Sequence, residues 1–174
     1  MGFKNIIERF AINYAHNTMQ KSLYNGLNID ILDKKYVKTP RENTEYMLYA
    51  HVPFCHTFCP YCSFHKYHYE QELAKIYFEN LRQEMRQVKA VGFDFGSLYV
   101  GGGTTLINEP ELEKTLVLAK ELFNIKDVSC ESDPNHIRPE NLKRFQGLID
   151  RLSVGVQSFD DETLKRVARY EKFG

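Results

Sequence analysis

Neither sign of charge prevails in this chain. Its 174 residues carry 23 Lys and Arg against 23 Asp and Glu, a formal net charge of zero. There is no basic stripe and no polybasic run, so neither nucleic acid nor an anionic membrane surface is an expected partner. No apolar run approaches the roughly 20 residues that cross a bilayer, so no membrane span is expected. The opening residues, Met-Gly-Phe-Lys-Asn-Ile-Ile-Glu-Arg-Phe, lack a long apolar stretch and a small-residue cleavage site, and do not read as a secretory leader. Cysteine is scarce: there are four, and three of them fall within eight residues. That crowding argues against a disulfide framework and for metal binding in a reducing compartment. The expected location is cytoplasmic. At 43% hydrophobic and 26% charged, the composition is that of a globular domain with a core of its own.

Two regions are expected: an appendage over 1–44 and a main domain over 45–174. In the first, Phe3, Ile6, Ile7, Phe10 and Tyr14 recur at helical spacing and predict a short amphipathic helix. Asn25-Gly26 and Thr39-Pro40 then signal turns or extended chain. From Glu45 onward strands and helices alternate. An apolar run predicts a strand over 47–52, and further strands are read over 97–100, 127–131 and 151–156, the last with Leu152, Val154 and Val156 on one face. Leu73, Tyr77, Leu81, Met85 and Val88 mark one face of a long helix closed by Gly92. Asn108 reads as the cap of a second helix, with Pro110 in its first turn and Glu111 at the capping-box position. That helix points Leu112, Leu116, Ala119 and Phe123 inward. Further helices are predicted from Pro139 to Phe145, ended by Gly147, and from about Asp160 to Arg169. Four βα repeats predict an α/β fold with a parallel sheet and right-handed crossovers. Four strands cannot close a barrel. The sheet is either open and doubly wound or the first part of a longer (β/α) barrel, and the pattern stopping mid-repeat favours the second.

The distinctive residues all follow strands, where parallel α/β folds place their functional face. After the first strand comes Cys55-His-Thr-Phe-Cys59-Pro-Tyr-Cys62, a C-x3-C-x2-C loop bent at Pro60. A four-iron cluster ordinarily takes four cysteines, so three would leave one iron open to a small molecule. A Cys3His zinc site with His65 or His68 as fourth ligand is the competing reading. After the second strand, Gly101-Gly102-Gly103-Thr104-Thr105 exposes bare backbone to a ligand or makes a tight turn. It has neither the spacing of a dinucleotide site nor the Lys of a P-loop. Glu131 ends the third strand and offers a carboxylate for ribose hydroxyls, or simply sits at the rim. Gln157 ends the fourth. Arg169 and Tyr61 are further candidates. His51 is expected to face the sheet interior, His56 to lie beside the loop, and Cys130 to act as a small buried hydrophobe. No general acid, base or nucleophile is singled out.

The stretch from Tyr49 through Cys62 closely resembles the start of radical S-adenosylmethionine (SAM) enzymes of the oxygen-independent coproporphyrinogen III oxidase group. Tyr99-Val-Gly-Gly-Gly-Thr-Thr, Glu131-Ser-Asp-Pro and Arg151-Leu-Ser-Val-Gly-Val-Gln157-Ser-Phe-Asp match in the same order. The resemblance implies a partial (β/α) barrel, with the first four of six βα units present here. It implies a [4Fe–4S] cluster on Cys55, Cys59 and Cys62, whose open iron is chelated by SAM. Tyr49, Tyr61, Gly102, Gly103, Thr104 and Glu131 would contact that SAM; Gln157 and Arg169 match positions that contact a second one. The implied chemistry is SAM cleavage to a 5′-deoxyadenosyl radical, with a porphyrinogen or haem-like substrate and an electron donor such as flavodoxin or ferredoxin. Two departures stand out. The glycine motif reads Gly-Gly-Gly-Thr-Thr-Leu, where the family usually has proline after the first threonine. Cys62 is followed by Ser63-Phe64, without the extra cysteine typical of coproporphyrinogen dehydrogenases. A haem chaperone or an anaerobic haem-modifying protein is therefore the alternative.

Overall fold

The computed structural model of the chain describes residues 12–22 and 38–170. It divides into two units between Lys38 and Thr39. Described in the first unit is a helix, α1, over 12–22. Of the residues predicted to form a helical face, Tyr14 falls in α1; Phe3, Ile6, Ile7 and Phe10 lie outside the described residues, as does Asn25-Gly26. Among the described residues no helix is long and apolar enough to cross a membrane.

The second unit is built on a four-stranded sheet in the order β1-β4-β5-β6: Met47–Val52, Ser97–Gly102, Asp127–Ser132 and Arg151–Val154. All three pairings are parallel, with Tyr49 opposite Tyr99, Val100 opposite Cys130, and Glu131 opposite Ser153. Helices α2 (Gln71–Ala90), α3 (Glu109–Leu122) and α4 (Pro139–Arg144) make the crossovers, and α5 (Asp161–Arg166) follows the last strand. This is the parallel α/β architecture expected from alternating strand and helix patterns.

Side chains alternate along each strand, so one sheet face is dry and the other carries the chemistry. On β1, Ala50 and Val52 are buried, while Tyr49 stands out and His51 is half-buried. Val52, Phe78, Leu116 and Val128 are fully enclosed in the core. On α2 the buried residues are Ala74, Phe78 and Met85, flanked by Tyr77, Leu81 and Val88; Leu73 is 46% exposed. The face lies one residue further round than the pattern of large apolar side chains suggested. Gly92 ends α2 as expected: its φ is +101°, its N–H donates to Lys89 O, and Phe93 N–H to Val88 O, a Schellman turn.

Three expectations about element ends need correction. Asn108 does cap α3 through the Glu111 N–H, but Glu111 does not return the bond. Its buried carboxylate is drawn instead to Arg82 on α2, at 2.8 Å, and to Lys114, at 2.7 Å. Strand β6 stops at Val154 rather than Val156: Gly155 N–H makes a last bond to Ser132 O, and Gln157 adopts φ +72°, which no strand tolerates. Helix α5 ends at Arg166, three residues early, because Ala168 turns left-handed at φ +51°.

Burial pushes the Glu111 carboxyl up, but the bonds and charges of Lys114 and Arg82 outweigh it and hold it below the usual carboxylate range. Its contribution to stability is therefore complete above the ordinary Glu value of 4.5 and is lost as pH falls through the lower folded value. Arg82→Met should destabilise the domain by about 3 kcal/mol at pH 7. Urea unfolding at pH 7 and pH 4 should also show a smaller loss on acidification in the variant than in wild type.

Candidate active site

The cysteine loop is pinned at both ends. A two-residue strand, β2 (Phe54–Cys55), pairs in parallel with another, β3 (Tyr67–His68). Tyr67 N–H donates to Pro53 O and Tyr69 N–H to Cys55 O. Within the loop, Cys62 N–H donates to Cys59 O at 3.1 Å across Pro60 and Tyr61, a β-turn with proline at its second position. The Lys66 ammonium donates to Cys62 O at 2.6 Å and to Phe64 O at 3.4 Å, drawing the loop's second half inward.

The glycine run docks against this loop. Gly103 N–H donates to Val52 O and Thr104 N–H to Phe54 O, both at 2.7 Å. A Cβ on Gly103 would lie 2.6 Å from Phe54 O and 2.9 Å from Cys55 Sγ, so only glycine permits the approach. Thr104 Oγ1 is 3.7 Å from Cys55 Sγ. From β5, Glu131 accepts from Tyr99 Oη at 2.8 Å and from Gly102 N–H at 3.1 Å. Thr105 Oγ1 donates to the Glu131 carbonyl. Beyond β6, Arg169 reaches Cys59 Sγ at 3.3 Å and Gly155 O at 2.7 Å.

These elements enclose a cavity of about 260 Å³. Its wall includes Cys55, Cys59, Tyr61, Cys62, Gly102, Gly103, Thr104, Glu131, Gln157 and Arg169, ten of the eleven residues singled out from sequence. Tyr49 stands beside the wall: its ring stacks on Tyr99 at 6.0 Å and its hydroxyl meets His51 Nδ1 at 3.0 Å. His51 is thus on the polar face of the sheet and not in the core, with its Nε2 on His65 O at 3.2 Å. His56 packs edge-on against Tyr69, outside the cavity wall.

Lys66 and Asp133 are among the wall residues that sequence reasoning missed. Lys66 was unremarkable as a lone cation, and its grip on Cys62 O depends on the folded loop. Asp133 was visible in Glu131-Ser-Asp-Pro but not distinguished from its neighbours. It is 5% exposed. Burial pushes its carboxyl up, yet the His136 bond and charge, the Asn135 N–H and the charge of Arg169 hold it below the usual range. Tyr61 goes the other way: burial and a bond to Cys59 raise its hydroxyl, with Arg169 opposing.

The donor set can be tested against the two candidate metals. Among the described residues no three His, Cys, Asp or Glu side chains are grouped to hold a single ion. A cubane needs no such convergence, because each thiolate binds a different iron. The two histidines offered to zinc are turned to other partners. His68 stacks on Phe58 with ring centres 4.1 Å apart, and His65 packs edge-on against Tyr67. Three free thiols around a cavity floored by glycine therefore fit a cluster with a small-molecule ligand better than a Cys3His zinc.

The fold is thus a parallel α/β sheet that gathers three loop thiols, a glycine cradle and a carboxylate around one cavity at its strand ends. Residues 49–173 match the family model of the radical SAM superfamily, and the chain belongs to that superfamily. It is 32% identical over 132 residues to the heme chaperone HemW of Bacillus subtilis, covering 71% of this chain and 35% of that protein. To the oxygen-independent coproporphyrinogen III oxidase of Helicobacter pylori strain J99 it is 32% identical over 174 residues, covering 94% and 36%. Among solved structures it resembles coproporphyrinogen III oxidase (HemN) from Escherichia coli, a radical SAM enzyme. The TM-score is 0.63 and the identity 30%, over 72% of this chain and 31% of that one. The chain spans about a third of the length of these relatives.

Cys130 is set apart from the loop cysteines. Burial pushes its thiol up to about 11; a Thr105 bond opposes the shift and the Glu131 charge adds to it. At pH 8 such a thiol is about 0.1% ionised, against roughly a quarter for an ordinary exposed one. With iodoacetamide at pH 8, Cys130 in the metal-free folded chain should be alkylated at least ~100-fold more slowly than the partly exposed Cys62, as read by peptide mass spectrometry.

Proposed function

We propose that this chain forms part of a radical SAM oxidoreductase acting on a porphyrin-type substrate, with oxidative decarboxylation of coproporphyrinogen III as the leading reaction. The observation that carries the reading is the single cavity onto which the three loop cysteines, the glycine run, Glu131, Gln157 and Arg169 all open. Family membership implies a [4Fe–4S] cluster and SAM. Residues 45–174 would supply the cofactor-binding part of the core, with 1–44 as an appendage to it.

In this reading Cys55, Cys59 and Cys62 hold the cluster. A reduced cluster held by these thiolates would supply the electron for reductive cleavage of SAM, the chemistry that would start hydrogen removal from the substrate. Gly102 and Gly103 present bare backbone to SAM beside Cys55, where any side chain would collide. Glu131 is oriented by Tyr99 and the Gly102 N–H. Those two bonds leave part of its acceptor capacity for ribose hydroxyls. Thr104, Tyr61 and Tyr49 contact the same molecule, and Gln157 and Arg169 face a second one. A flavodoxin or ferredoxin is the proposed electron donor.

A haem chaperone that keeps the cluster but hands haem to a partner is the second reading. It is favoured by Ser63-Phe64, where dehydrogenases carry a further cysteine, and by the likeness to HemW.

Anaerobic reconstitution should load about four irons per chain and colour it brown. Dithionite with SAM and coproporphyrinogen III should then release 5′-deoxyadenosine. Tight haem binding without turnover would favour the chaperone, and a colourless protein holding stoichiometric zinc would sink both readings. Cys59→Ala should lower iron uptake at least ~10-fold; a variant that still loads fully would show that Cys59 is not a ligand.

A further inference from the structure

Past β6 the chain returns to the cysteine loop by a specific route. Helix α5 ends in a Schellman turn: Ala168 N–H donates to Lys165 O and Arg169 N–H to Leu164 O. The residue in the left-handed position is Ala168, not the usual glycine, at φ +51°. Gln157, at the other end of the segment, is left-handed as well, at φ +72°. Non-glycine residues enter that region against strain, and such strain persists where the surrounding structure imposes it. Its result here is to aim Arg169 into the cavity. One nitrogen of the guanidinium fork, Nη1, donates to Cys59 Sγ at 3.3 Å; the other, Nη2, donates to Gly155 O at 2.7 Å. Arg169 Nε is shielded from solvent, so the head group is embedded and not swinging at the surface.

We propose that Arg169 is a positioning residue for Cys59: its fork holds the Cys59 sulfur, ties the cysteine loop to the end of β6, and sets the potential of the cluster bound there. The inference rests on the reading of Cys59 as a cluster ligand. It adds to the contact with SAM proposed for Arg169 above. A planar fork matched to two acceptors is something Lys cannot reproduce. An N–H···S bond and a nearby cation both draw charge from a ligand sulfur. They stabilise the reduced, more negative cluster and raise its potential.

The test uses the cluster-loaded chain without SAM. In an anaerobic redox titration, R169Q should shift the reduction equilibrium about tenfold toward the oxidised form, ~59 mV for a one-electron couple. R169K keeps the charge but not the fork and should fall between wild type and R169Q. Iron release to a chelator should be faster in both, in the same order. The Lys variant carries the test alone if R169Q does not fold. An unchanged potential in a variant that folds and loads overturns the proposal. Unchanged potential with weakened SAM binding also overturns it, assigning Arg169 to SAM alone. A wild-type chain that takes up no iron overturns the cluster reading together with this one, an outcome told apart by iron content.

Discussion

Between the end of β4 and the start of the cysteine loop there is no room for a side chain, and the site is organised around that contact. Gly103 N–H and Thr104 N–H reach Val52 O and Phe54 O across it, both at 2.7 Å. The same two bonds extend the parallel β1–β4 pairing past its last ladder residues, Val52 and Gly102. They seat Cys55 against bare backbone, make glycine the floor of the cavity, and bring Gly102 N–H to Glu131. A methyl group on Gly103 would push β4 away and separate the thiols from the carboxylate.

Around that contact the charges are arranged unevenly. The carboxylates of the wall are already engaged: Glu131 with Tyr99 and Gly102, Asp133 with Asn135 and His136. The cations lean on the thiol loop, Lys66 through the Cys62 carbonyl and Arg169 through the Cys59 sulfur. Thiolates in such surroundings meet donors and positive charge, with the fixed negative groups held by other partners. The buried Arg82–Glu111 pair behind the sheet ties α2 to α3, the helices that flank this face from the core side. It belongs to the scaffold and not to the chemistry.

Much of this could be read in the chain beforehand, for identifiable reasons. Strands β1 and β4 are short, mostly apolar runs between polar stretches, and such runs read as strands. Helix caps at Asn108 and Gly92 depend on local bonds that neighbouring residues declare. The buried face of α2 was placed one residue off because size misleads: Leu73 is the larger apolar side chain, yet it is largely exposed while Ala74 is buried. Strands β2 and β3 are two residues each, too short to show any period. The left-handed turns at Gln157 and Ala168 fall on residues with no preference for that conformation, so composition gave no warning of them.

What the sequence determined alone is the inventory and its order: three cysteines on one bent loop, a glycine run, a carboxylate and a glutamine, each placed after a strand. Parallel pairing then obliges those groups to share an edge, because every strand points the same way. The tertiary structure decided which of them converge. It stacked Tyr49 on Tyr99, turned His65 and His68 onto aromatic rings, and brought Arg169 onto Cys59 from 110 residues away. Such choices depend on non-local distances and on where backbone can pass without a side chain, and neither is written in the spacing of residues along the chain.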